Sequence, residues 1–200
     1  VHVERTYRRP LLGRMIRSVL ASVLPNNRRF RFVLRLAPLA KPLAPLLALL
    51  GLKPLAAMLR LAPARLPART LSADRVFPAQ GERKGRVALM AGCVSPVIGP
   101  SINEAAIRVL TRHGIEVVLP EGQGCCGGVT HHMGRETEAL AAVRRNVDAW
   151  IAEDEGEGID AILITASGCG TTVKDYGFML RTDSAYAGKA RRVSALAQDI

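Results

Sequence analysis

Apolar positions along this chain recur at two different periods, and the change of period divides it. Leu11, Leu12, Met15, Ile16, Val19 and Leu20 recur at helical spacing with Arg14 and Arg17 between them, which predicts an amphipathic helix. Pro25-Asn26-Asn27 ends it, and residues 28–36 predict a second, short helix. Residues 36–70 are rich in Leu, Ala and Pro. Their longest uncharged run covers only residues 42–52, whereas a spanning helix needs about 20 apolar residues. Lys41, Lys53 and Arg60 interrupt the run, and Pro38, Pro42, Pro45 and Pro54 break any long helix. The pattern predicts short amphipathic helices, packed on another part of the protein or lying on a membrane surface, and no transmembrane segment.

From residue 86 the apolar positions gather into short runs separated by helical stretches. Residues 86–91 (RVALMA), 115–119 (IEVVL) and 161–165 (AILIT) read as buried strands. Residues 103–113 predict an amphipathic helix closed by Gly114. Residues 136–152 predict a long helix with Leu140, Val143, Val147 and Ile151 on one face, and Trp150 reads as packing. Residues 153–158 read as a solvated acidic loop, and residues 171–180 as the start of a further helix. The β-α-β-α-β order implies an α/β fold: a small parallel sheet with right-handed crossovers and flanking helices, preceded by an α-helical basic region. The expected organisation is a basic helical region over 1–70, a linker over 71–85 and a cysteine-rich domain over 86–200.

Charge sharpens that division. The net formal charge is +11, and all of the excess lies in residues 1–70, which hold a single acid, Glu4. Such asymmetry points to an acidic partner surface for the basic part: anionic lipid, nucleic acid or another subunit. With aromatic content of only 4% there are few platforms for base stacking, so nucleic acid is not the expected partner. The opening residues Val1-His2-Val3-Glu4-Arg5 carry neither an initiator Met nor the apolar core of a signal peptide. The chain therefore reads as an internal piece of a longer cytoplasmic polypeptide, with contact at the cytoplasmic face of a membrane left open.

Four cysteines are too few for a disulfide scaffold, and in a reducing compartment clustered thiols are ligands or redox groups. Cys93 follows the first predicted strand, Cys125 and Cys126 the second, Cys169 the third. Each is flanked by glycine and expected in a loop leaving the carboxyl end of a strand. Those loops share one edge of an open parallel sheet, where ligand sites form. Soft thiolates select iron–sulfur, zinc or Cu(I). Zinc stays open as an alternative, but no C-x-x-C knuckle is present, and the adjacent pair suits a multi-iron centre better than one metal ion. His131 and His132, just after the CCG loop, are candidates to hydrogen-bond a cluster sulfur or move protons. Thr172 reads as a helix-start hydroxyl, and Lys174-Asp175-Tyr176 carries no derivable chemistry.

The combination CCGGVTHHMG over residues 125–134 and TASGCGTTVKDYG over 165–177, with Gly92-Cys93 before it, resembles the CCG-type cysteine-rich domains of heterodisulfide reductase, anaerobic glycerol-3-phosphate dehydrogenase and lactate-utilisation proteins. It is most similar to iron–sulfur subunits of glycolate-oxidising complexes, and the region RRPLLGRMIRSVL also resembles theirs. The resemblance implies a Rossmann-like domain and an iron–sulfur cluster, 4Fe–4S, on Cys93, Cys125, Cys126 and Cys169. It also implies a flavin-containing partner subunit that carries the substrate chemistry, so that no residue here is catalytic. The sequence departs from the family's terminal C-x-x-C, with Thr172 in the second position. The alternatives are a thiol redox module like heterodisulfide reductase and a structural zinc or scaffold domain.

Overall fold

The computed structural model describes residues 6–7, 9–68 and 75–200. The opening pentapeptide with Glu4 and the start of the expected linker, 71–74, lie outside them. Helix α1 spans Leu11–Val23, and Asn26 caps α2, Asn27–Ala40, by accepting the Arg29 N–H at 3.0 Å. A 3₁₀ turn, Lys41–Leu43, leads into α3, Ala44–Leu49, and then α4, Lys53–Leu61.

The prolines divide this region into short helices, as the sequence suggested, but do not interrupt its helical course before residue 50. Pro42 and Pro45 stand at first-turn positions, where no intrahelical N–H is needed. Helical structure therefore continues over Asn27–Leu49, long and apolar enough by length and composition to cross a membrane. The same stretch is tied down, however. Arg31 is only 7% exposed, and its guanidinium donates to the carbonyls of Pro67 and Pro96 at 3.0 and 3.2 Å. Arg17 donates to Met133 O at 3.0 Å. The basic helices thus grip the cysteine-bearing part of the chain.

The sheet begins with β1, Val76–Phe77, inside the stretch expected to be linker. Then come β2, Gly85–Leu89; α5, Ser95–Ile98; α6, Pro100–Arg112; and β3, Ile115–Val118. They are followed by α7, Gly128–His132; α8, Glu136–Glu155; and β4, Ala161–Ile164. The chain closes with α9, Ser167–Lys174; α10, Tyr176–Met179; α11, Ala187–Leu196; and β5, Ala197–Asp199. The strand order is β1-β3-β2-β4-β5. The β3-β2-β4-β5 pairs are parallel, and β1 is antiparallel to β3. The first parallel strand, β2, lies inside the sheet and the chain leaves it in both directions, as in doubly wound folds.

Side chains alternate across the strands. Val87, Leu89, Val117 and Leu163 face α6 through Ile107 and Leu110. Ala88, Met90, Val118, Ile162 and Ile164 face α8 and α11, against Val143, Val147, Trp150 and Val193. The stripe predicted for the long helix is the buried one.

One expectation is corrected at the amino edge of the sheet. Helix α8 runs on through Glu155, and Glu153 and Asp154 are half-buried, while Glu155 and Glu157 are exposed as expected. Arg86, 6% exposed, donates to Glu116 at 2.9 Å, Glu153 at 2.7 Å and the Gly158 carbonyl at 3.1 Å. Arg192 holds Asp154 bidentately at 2.8 and 2.9 Å. A buried guanidinium requires such partners, and they recruit the acids into helix and core.

Candidate functional site

The loops leaving β2, β3 and β4 meet at the carboxyl edge. Cys93 follows Gly92, whose φ of +76° lets the chain turn sharply out of β2. Asn103, fully buried, donates to Ala91 O at 3.0 Å and accepts the Thr165 hydroxyl at 2.8 Å. One α6 side chain thereby locks the loop after β2 to the end of β4.

The pair Cys125-Cys126 is braced from beneath. Asn146 of α8 accepts the Gly124 N–H at 2.8 Å and donates to the Cys125 carbonyl and to the Tyr176 hydroxyl, both at 3.0 Å. The Tyr176 hydroxyl in turn donates to the Cys126 carbonyl at 2.9 Å. Both residues are fully buried, and Tyr176 stacks on Trp150. Burial pushes the Tyr176 phenol far above its ordinary range, so it stays protonated and able to donate. Gly127, at φ +84°, then turns the chain into α7. The Gly128 N–H points at Cys126 Sγ, 3.4 Å away.

Cys169 does not sit in a loop. It lies in the first turn of α9, its N–H bonded to Ala166 O at 2.8 Å. The helix begins at Ser167, earlier than its sequence suggests, because glycines at 168 and 170 hide the pattern. Gly170 packs under β5, where an added Cβ would displace the Asp199 carboxylate. Thr172 is buried in the same helix, not at its start. Its hydroxyl donates to Gly168 O at 2.9 Å and lies against Cys126.

All four thiols are brought together. Cys93, Cys125 and Cys126 are buried and Cys169 half-buried. They lie side by side in the order Cys93, Cys125, Cys126, Cys169 and shift one another's ionisation. The Cys125 thiol holds Cys93 and Cys126 below the usual thiol range, and Cys169 adds to the effect at Cys126. Cys126 in turn drives Cys125 and Cys169 upward. Among the described residues no three His, Cys, Asp or Glu side chains are pre-set around a single metal position.

His131 and His132 are exposed on α7, their rings 5.7 Å apart. They line a cavity of about 470 Å³ that also touches Gly168 and Thr172. Neither hydrogen-bonds a thiol. The residues that sequence reasoning missed are Asn103, Asn146 and Tyr176. A signal for Asn146 existed: a polar residue beside Val143, Val147 and Ile151 on the apolar stripe of α8.

The family model described as the CCG cysteine-rich domain matches residues 87–174. The glycolate oxidase iron-sulfur subunit of Escherichia coli K12 is 39% identical over 198 residues, 99% of this chain and 44% of that protein. A probable glycolate oxidase iron-sulfur subunit of Bacillus subtilis is 30% identical over 116 residues, 58% of this chain and 25% of that protein. Lactate utilization protein A of Bacillus velezensis is 28% identical over 109 residues, 54% of this chain and 43% of that protein. The chain spans less than half the length of these curated relatives. No solved structure matches it.

Proposed function

The chain belongs to the cysteine-rich CCG family through residues 87–174, and from that premise we propose that it is the iron–sulfur, electron-transferring part of an oxidoreductase complex that oxidises glycolate or a related 2-hydroxy acid. The observation that carries the reading is the gathering of four thiols at one sheet edge, from the loops after β2 and β3 and from the first turn of α9. The names of the relatives support the cofactor class.

The donor set fits such a group. Four soft sulfurs, with no carboxylate among them, favour an iron–sulfur cluster or zinc over hard cations. Cys93, Cys125, Cys126 and Cys169 would hold the cluster, 4Fe–4S by the family resemblance, which when bound supplies one-electron transfer. The chain's own residues prepare the site. Asn146 and Tyr176 fix the loop, burial excludes water, and the Gly128 N–H stabilises negative charge on Cys126. Binding draws on thiolates, so Cys125 and Cys169 must release their protons. Substrate oxidation belongs to a flavin-containing partner, and the assembly works in the cytoplasm or at the cytoplasmic face of the membrane. Phe32, Leu36 and Leu39 are exposed on α2 beside Arg28 and Arg35. Peripheral contact between residues 1–70 and an anionic membrane surface follows the rule for interfacial helices.

Iron, acid-labile sulfide and zinc per chain, compared between the anaerobically purified protein and a Cys125→Ser/Cys126→Ser variant, test the assignment. Iron and sulfide lost together from the variant are expected. About one zinc per chain, or no metal in either protein, would overturn it.

A further inference from the structure

We propose that the cleft between the α1–α2 corner and the Cys125 loop is a docking site for an acidic segment of the protein that exchanges electrons with this one; it rests on the electron-transfer reading above. The cleft has a volume of about 610 Å³ and includes Cys125 in its wall. Three arginines converge on it from separate parts of the chain: Arg29 from α2, Arg135 from the turn before α8, and Arg145 from α8 itself.

Their partners leave a positive excess. Arg135 spends one end of its guanidinium on Glu138 at 3.0 Å and the other on the Ser18 hydroxyl at 2.7 Å. Arg29 donates only to neutral oxygens, those of Ser22, at 2.8 and 3.3 Å. Arg145 is exposed and makes no hydrogen bond or ion pair among the described residues. It lies flat over the backbone of Gly124, with Nη2 3.3 Å from where a Cβ would stand. The absence of a side chain at 124 is what lets this cation reach the Cys125 loop. Glu138 is the one acid in the lining. The polar cleft at the amino edge differs, because Arg83, Lys84, Arg86 and Arg192 face Asp154, Glu157 and Asp160 there.

Openness argues for the size of the ligand. Exposed ion pairs are individually weak and salt-screened, so a lone small anion gains little from arginines spread around an open cleft. An acidic segment engages several at once, and complementary charge steers it to this edge. Seated there, it places its protein against the Cys125 side of the thiol row.

The probe is a fluorescein-labelled hexaglutamate peptide, its binding to the whole chain followed by fluorescence anisotropy. Arg29→Gln/Arg145→Gln is compared with Arg112→Gln/Lys189→Gln, which removes equal charge from α6 and α11. The cleft variant should bind about tenfold more weakly, equivalent to two lost contacts, and the control variant less than about twofold. Gly124→Ala, which changes no charge but crowds Arg145, should weaken binding several-fold. Equal loss in both double variants, no binding by the parent chain, or competition by inorganic phosphate as effective as by unlabelled peptide would overturn the proposal. Iron and sulfide are measured on the same proteins. Selective loss of peptide binding in proteins free of iron would support the docking site while removing its electron-transfer premise.

Discussion

Replacing Asn146 with Leu should loosen the Cys125-Cys126 loop more than any single change that leaves the thiols in place. Leu keeps the branched skeleton of Asn and is larger, so no cavity opens and the bonds lost are polar ones. Three hydrogen bonds vanish: Gly124 N–H to Oδ1 at 2.8 Å, and Nδ2 to Cys125 O and to the Tyr176 hydroxyl at 3.0 Å each. The Gly124 N–H and Cys125 carbonyl are left without them, and a buried group so stranded costs about 1–3 kcal/mol. The hydroxyl keeps its bond to Cys126 O and suffers less. The total is about 3–5 kcal/mol, a large part of the 5–15 kcal/mol typical of a domain. Urea unfolding of the reduced, metal-free protein measures it, and the rate at which a thiol reagent consumes Cys125 and Cys126 reports the loop. Tyr176→Phe should cost about 1–2 kcal/mol and combine less than additively with Asn146→Leu, since the two share a bond. A loss below about 1 kcal/mol with unchanged thiol reactivity would show that the brace does not hold the loop.

Three further outcomes are expected. The reduced, metal-free protein should gain stability with rising pH up to about 8.5, where unfolded thiols ionise, because folded Cys93 and Cys126 have already lost protons that the unfolded chain still binds. Above that pH, Cys125 and Cys169 keep protons the unfolded chain releases, so stability should fall; urea midpoints against pH would expose the alkaline limb, and its persistence in Cys125→Ser/Cys169→Ser would refute its assignment to those two thiols. Gly127→Ala forces an L-residue to φ +84° and brings Cβ to 3.0 Å from Ala139 O, costing at least about 1–2 kcal/mol in chemical denaturation and accelerating thiol labelling. Arg86→Met strands Glu116 and Glu153, whose side chains are 14% and 25% exposed, and should cost about 3 kcal/mol in urea unfolding; a loss below about 1 kcal/mol would show that these pairs do not hold the amino edge.

Much of the fold could be read from the chain itself. Alternation and β-branched runs marked the three central parallel strands, and the 3.6-residue period marked α1, α6 and the buried stripe of α8, because these elements bury a face whose spacing is written locally. The placement of all four cysteines after strands, with the parallel sheet that β-α-β order demands, was enough to bring them to one edge. Strands β1 and β5, two and three residues long, have no period to detect and exist because β3 and β4 offer free backbone groups at the sheet's edges. Cys169 passed for a loop residue because glycines 168 and 170 hide a helix start.

The sequence by itself determined the class of fold, the charge divide and the convergence of the four cysteines on one sheet edge. Tertiary structure alone decided that the acids at 153 and 154 close around Arg86 and onto Arg192, and that Asn146 and Tyr176 pin the cysteine pair. These bonds couple residues between 21 and 67 positions apart. Local periodicity reports which face of an element is buried, but which polar group a buried atom meets depends on how separate elements dock, and the cost of an unsatisfied buried group makes that meeting obligatory.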